Sequence, residues 1–141
     1  MRGIAHLAFG LLIASIADLL LTFPSFLHTM LFYFACAFAS LLPDLDYNAK
    51  LFLVHRGSLH SIWFVVIVLL VSFIVYPFLL LPLLLGISSH LALDSTTRSG
   101  IKLFHPFGKK SRGKLKTGSF KEKIFLGIVA IIDVILALYN F

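Results

Sequence analysis

Six histidines and six acidic residues are spread unevenly along this chain of 141 residues. Four of the histidines and three of the aspartates fall in short patterned blocks. His6 lies in Ala5-His6-Leu7, and Asp44 and Asp46 close the run Leu-Leu-Pro-Asp-Leu-Asp at 41–46. His55 and His60 frame His-Arg-Gly-Ser-Leu-His, and His90 and Asp94 stand four residues apart, on one face of a helix. Imidazole and carboxylate together suit zinc, iron or manganese. No thiolate competes, because the single Cys36 sits inside an apolar run and has no partner for a disulfide. A mononuclear catalytic zinc takes three protein ligands and keeps one position for water. Seven candidates exceed that number. The pattern therefore predicts either two ions, or one ion with a separate base and further carboxylates that orient its ligands. Zinc is the first choice of divalent metal, with manganese and magnesium as alternatives. Each fragment also has a plainer reading: Asp44 after Pro43 suits a turn or a helix cap, and His55 and His60 suit polar positions at a membrane surface.

These residues must be positioned by elements that are almost wholly apolar. The chain is 60% hydrophobic and 13% charged, with a mean hydropathy of +1.02, whereas a soluble domain is about half apolar and a quarter charged. A bilayer span takes about 20 apolar residues, so 141 residues hold four or five spans and little else. That excludes a large soluble catalytic domain, a nucleic-acid-binding domain of usual type and a disulfide-stapled secreted scaffold. Five apolar segments follow one another: Ile4 to Phe23, Phe26 to Leu42, Ile62 to Tyr76, Phe78 to Leu93 and Ile124 to Tyr139. Pro24 separates the first two and Pro43 ends the second. Pro77 and Pro82 break the long run after Ile62 into a helical hairpin; one continuous helix there would leave His60 and His90 about 45 Å apart. The N-terminal segment has a signal-like start, but it contains His6 and Asp18 and no cleavage site follows, so it reads as a retained span.

Charge gives the orientation. The formal net charge is +6, and nine of the twelve bases lie between Arg98 and Lys123, with Glu122 as the one acid in that stretch. In a membrane protein such a basic loop (98–123) belongs on the cytoplasmic side, near anionic headgroups rather than on nucleic acid. The turn near Pro77 then lies outside, and the segment 43–61 with Lys50 and Arg56 lies inside. The turn at Pro24 lies outside without a base, and the N-terminus with Arg2 lies inside. The expected fold is all-α: residues 1–141 form one polytopic membrane bundle of about five transmembrane helices, N-terminus cytoplasmic, in the inner membrane. All seven His and Asp candidates then share one face.

Other polar residues fall elsewhere. His28 and Asp18 lie towards the opposite face, out of reach of the cluster. Asp133 sits in the middle of the last span beside Gly127, Ala130 and Ala137, where an acid is functional, an interhelical contact or a protonated neutral group. His105 reads as a loop residue. His6 shares a narrow arc with Gly3, Gly10, Ala14 and Ala17, and such small residues let helices approach closely.

At these same blocks the sequence resembles the small bacterial and archaeal inner-membrane metal-dependent hydrolases, the LexA-regulated membrane-bound hydrolase type. The matching stretches are Ala5-His6-Leu7, Leu41 to Asp46, His55-Arg56-Gly57-Ser58-Leu59-His60-Ser61 and Gly86 to Asp94, continuing through Thr97, Gly100 and Pro106. They cover most of residues 5–108, and the last span carries no matching motif. The segment between Asp46 and His55 is shorter than in relatives. The resemblance implies a hydrolase using a divalent metal, with His6, Asp44, Asp46, His55, His60, His90 and Asp94 at the site positions, and it supplies no substrate.

The chemistry expected is hydrolysis of a phosphoester or ester in a lipid or other amphipathic substrate. A bound metal would bring the pKa of water to about 7, and Asp44 or His6 would accept the proton. Arg56, Arg98 and Lys102 could hold an anionic group, Gly57 could let the backbone pass close by, and Ser61, Thr96 and Thr97 could supply supporting hydrogen bonds. Two rivals from other classes stand beside it. A metal or proton transporter would use Asp133 and Asp18 as relays, and a non-catalytic scaffold would hold a structural metal and bind anionic lipid. Haem ligation by a histidine pair leaves the carboxylates unexplained.

Overall fold

The computed structural model describes residues 3–45 and 57–140. Asp46, His55 and Arg56, with Arg2 and Lys50, lie outside the described residues. Among the described residues the fold is five α-helices and no β-strand. They are α1 (Gly3–Asp18), α2 (Phe26–Ala39), α3 (Ile62–Val75), α4 (Leu80–Thr96) and α5 (Phe120–Asn140). Single 3-10 turns at Leu42–Asp44, Ser58–His60 and Pro77–Leu79 punctuate the chain.

Pro24, Pro43 and Pro77 act as expected, whereas Pro82 sits in the first turn of α4, where a missing N–H costs nothing, and breaks no helix. The helical hairpin turns at Tyr76, whose backbone is extended, immediately before Pro77, and α3 folds back so that Val65 packs with Ile87 and Leu91 of α4. The apolar segment from Ile4 to Phe23 differs from expectation, because α1 ends at Asp18. Hydropathy alone does not separate helix from extended apolar chain, and Pro24 disfavours helical backbone at Phe23. Residues 19–23 instead turn, and Phe23 packs against Phe32 with ring centroids 5.0 Å apart. Two helical stretches, Phe26–Asp44 and Pro77–Thr96, are long and apolar enough to cross a bilayer, while Gly3–Asp18 and Ile62–Val75 are apolar but shorter. Helix α5 has 21 residues but begins with Lys121, Glu122 and Lys123.

Helix α4 lies at the centre, packed against α1, α2 and α3, and α5 covers the far side of α1. Two glycines set the spacing. A Cβ at Gly86 of α4 would come within 2.6 Å of Ala39 Cβ, and one at Gly10 of α1 within 2.7 Å of Ser40 Cβ. The three helices therefore meet backbone to backbone at the end of α2.

The basic loop closes into a hairpin between Thr96 and Leu115, and its last residues, 120–123, already belong to α5. Ile101 and Ser111 exchange backbone hydrogen bonds of 3.0 and 2.8 Å, and Arg98 N–H and Leu115 N–H donate to Leu115 and Thr96 carbonyls. Gly100 adopts a φ of +60°, and a Cβ there would meet the backbone of Ser111 on the opposite arm of the hairpin. Ile62 N–H donates to Leu103 O at 2.8 Å, tying the start of α3 to the same hairpin.

Candidate metal centre

Five of the sequence-predicted residues come together at one end of the bundle. His6 comes from the first turns of α1, Asp44 from the 3-10 turn after α2, His60 from the 3-10 turn before α3, and His90 and Asp94 from successive turns of α4. His6, His60, His90 and Asp94 are completely buried, and the Asp44 side chain retains 27% exposure. Four residues apart on one face of α4, His90 and Asp94 lie side by side, with Nε2 3.9 Å from Oδ2.

The orientation of His90 follows from the helix packing. Ser40 caps the C-terminus of α2, where carbonyls lose their intrahelical partners. Because Gly86 and Gly10 admit such close approach, the Ser40 carbonyl accepts a hydrogen bond from His90 Nδ1 at 2.7 Å. A carbonyl only accepts, so Nδ1 carries the proton and Nε2 of the neutral ring presents a lone pair. This is how a metal-ligating histidine is ordinarily held from behind.

That lone pair faces other donors. His60 Nε2 is 3.2 Å from His90 Nε2. Asp44 Oδ1 is 3.7 Å from His90 Nε2 and 3.8 Å from His60 Nε2, and Asp94 Oδ2 is 3.6 Å from His60 Nε2. Four ligands held at about 2.0–2.2 Å from a tetrahedral centre stand roughly 3.3–3.6 Å from one another. The measured separations bracket that range, and the donor chemistry is the nitrogen and oxygen mixture that zinc accepts.

His6 has a different place. Its ring stacks on His90 with centroids 3.7 Å apart and planes 15° from parallel, and its Nε2 lies 3.4 Å from Asp94 Oδ1. Two donor triads can be drawn, His6 with His90 and Asp94, and Asp44 with His60 and His90. Both need His90, whose second nitrogen is committed to Ser40. One ring nitrogen serves one ion, so the two triads could not both be filled through His90; Asp94 turns Oδ2 towards His60 and Oδ1 towards His6.

The remaining candidates are placed as follows. Arg98 is exposed, and its Nε donates to the Lys114 carbonyl at 3.4 Å within the hairpin. Lys102 is exposed at the hairpin's first arm. Ser61 Oγ donates to Ser58 O at 2.6 Å and closes the turn carrying His60. Thr97 Oγ1 donates to Asp94 O at 2.8 Å and accepts from Gly100 N–H at 3.2 Å, so it locks the end of α4 to the hairpin. His28 and Asp18 stay apart from the cluster: Ser25 Oγ lies 2.8 Å from His28 Nδ1, and Tyr33 donates to Asp18 at 3.1 Å. The contributor that the sequence reading missed is Ser40, which acts through its backbone; the only sequence signal for it was its position just ahead of Pro43.

Comparison with known proteins agrees with the motif resemblance. The chain is 38% identical over 76 residues to the uncharacterized protein YvsG of Bacillus subtilis (strain 168). That match covers 51% of this chain and 48% of the relative, so the chain spans about half the length of the curated relative it matches. No solved structure matches. Across residues 1–140 the chain fits the profile of the YdjM inner membrane proteins, the same span that contains every element of the centre. The chain belongs to the YdjM inner membrane protein family.

Proposed function

We propose that the protein is a membrane-embedded, divalent-metal-dependent hydrolase working at the cytoplasmic headgroup layer. The observation that carries this reading is the pair of imidazole Nε2 atoms 3.2 Å apart, flanked by two carboxylates and held by a carbonyl behind one ring. His60, His90 and Asp94 would hold one ion, zinc first and manganese or magnesium as alternatives. When bound, such an ion supplies Lewis acidity and brings the pKa of a coordinated water close to 7.

The chain's own groups divide the remaining work. The Ser40 carbonyl keeps the proton of His90 on Nδ1, and His6 steadies Asp94 through the oxygen that faces away from the centre. Asp44, the one member with an exposed edge, accepts the proton from the attacking water and passes it to the leaving oxygen. Packing of the four buried groups among apolar helices excludes bulk water and strengthens each electrostatic contact. The exposed cations Arg98 and Lys102, and Arg56 outside the described residues, would hold an anionic group such as phosphate. The five helices would cross the inner membrane with the N-terminus and the basic hairpin in the cytoplasm, so the scissile bond would be a phosphoester or ester of a lipid or other amphiphile.

The test pairs metal content with turnover. Purified wild-type protein should hold close to one ion per chain and hydrolyse some member of a panel of phospholipids and model esters with zinc, manganese or magnesium. Asp44→Asn should keep the ion and lose turnover by a factor of about 10² or more, the contribution of a positioned general base. His90→Ala should lose both. A wild-type protein with no metal and no turnover removes the reading.

A further inference from the structure

We propose that the substrate of this centre is an anionic phospholipid whose acyl chain lies in a groove along α3; the inference rests on the hydrolase reading and names its substrate. The groove has a volume of about 460 Å³, and its wall changes character from end to end. Ser58, Ser61 and His105 line it beside the basic hairpin, and Trp63, Phe64 and Ile67 line it along α3. A polar end continuous with an apolar trough is the shape of one amphiphile, head and tail.

Three further observations choose the occupant. The 3-10 turn Ser58–His60 is shared by groove and centre: Ser58 and Leu59 line the groove, while His60 is fully buried and turned to His90 and Asp44. That turn also packs on the turn carrying Asp44, the partly exposed member of the cluster. A head group at the polar end therefore lies one short turn from the reacting groups. The hairpin beside that end presents Lys102, Lys109 and Lys110 to solvent, and Glu122, the one acid between 98 and 123, is buried, so the complementary head group is anionic. Finally, Trp63 is 56% exposed and faces outward in an inner-membrane protein, so the trough is open to the acyl layer. Its indole sits at the level where tryptophan is enriched, between headgroups and tails.

The chain has one tryptophan, which makes the groove its own reporter. The full-length protein in non-ionic detergent is titrated with phosphatidylglycerol carrying brominated acyl chains, and separately with brominated phosphatidylcholine, while Trp63 fluorescence is followed. Saturable quenching near one lipid per chain is expected for phosphatidylglycerol, with phosphatidylcholine weaker by about fivefold or more, as for one basic residue acting near an anionic head. Ser58→Phe, which fills the polar end, and Ile67→Gln, which makes the trough polar two turns away from His60, should each weaken phosphatidylglycerol binding about tenfold while the metal content holds. Non-saturating quenching that is equal for the two lipids overturns the proposal, as does saturable quenching that neither variant moves. Failure of the hydrolase reading has a different signature: saturable, variant-sensitive lipid binding in a protein that takes up no metal and turns over no ester.

Discussion

At the residue scale, the centre turns on a division of labour between two stacked histidines. His90 has one nitrogen bonded to a backbone carbonyl and the other facing His60, so it is fixed in tautomer and in direction. His6 instead stacks on His90 and lies 3.4 Å from Asp94 Oδ1, whereas it is Asp94 Oδ2 that faces His60. A group that orients a ligand typically contributes 10–100-fold to metal affinity, whereas a ligand is indispensable. His6→Ala should therefore weaken zinc binding by about that factor while leaving the stoichiometry at saturating metal close to one. His90→Ala should not bind at any accessible concentration. Competition against a chromophoric chelator distinguishes the two, and loss of all binding in His6→Ala would make His6 a ligand after all. The residues of this site were legible because their types are rare here and fall in short blocks, with His90 and Asp94 at helical spacing. What could not be read was the Ser40 carbonyl, because every residue has one; its role depends on where α2 stops and how closely α4 approaches.

At the element scale, small residues determine whether those side chains meet at all. Gly86 holds α4 against the last turn of α2, and a single added methyl would lie 2.6 Å from Ala39 Cβ and 3.0 Å from Ser40 N. Neither neighbour is a flexible side-chain end, so the helices must part. Gly86→Ala should cost about 1–3 kcal/mol of stability, the usual penalty for overpacking, read as a lowered midpoint of thermal unfolding in detergent. It should also weaken metal binding, because the displaced backbone is the one that holds His90. A second contact, at the other end of the bundle, is independent of the centre. Tyr33 donates to Asp18 at 3.1 Å and accepts from Asn140 Nδ2 at 3.1 Å, and Asn140 also donates to Ser15 O at 3.2 Å. Three helices are joined there, so Tyr33→Phe should lower stability by about 1 kcal/mol and leave metal stoichiometry unchanged. This junction was invisible in the sequence. Asp18 reads in sequence as distant from the cluster or as a transporter's relay, not as a helix contact, and Asn140 lies 107 positions from Tyr33. The helical hairpin at Pro77, in contrast, was readable because proline acts locally.

At the scale of the whole molecule, an inner-leaflet site rests on sidedness. The His/Asp cluster, the turn bearing His60 and the basic hairpin are physically joined, through Thr97 to Asp94 and through Ile62 to Leu103, so whichever face holds the hairpin holds the cluster. By the rule that basic loops stay inside, the exposed bases of 98–123 would put that face in the cytoplasm, and the turn around Pro24 and Ser25, at the opposite end of α1 and α2, would then face outward. Sequence could order the spans and the charges. It could not show that the loop folds into a hairpin hydrogen-bonded to the end of α4, since its backbone pairing depends on Gly100 and on the close approach of its second arm. Cysteine accessibility tests the sidedness directly. In a Cys36→Ala background, Ser25→Cys should react with an impermeant maleimide added to intact cells, and Ser111→Cys should react only in inverted vesicles. The opposite pattern would move the centre to the outer leaflet, where a positively charged hairpin no longer meets the cytoplasmic anionic surface and the assignment of a cytoplasmic lipid substrate fails with it.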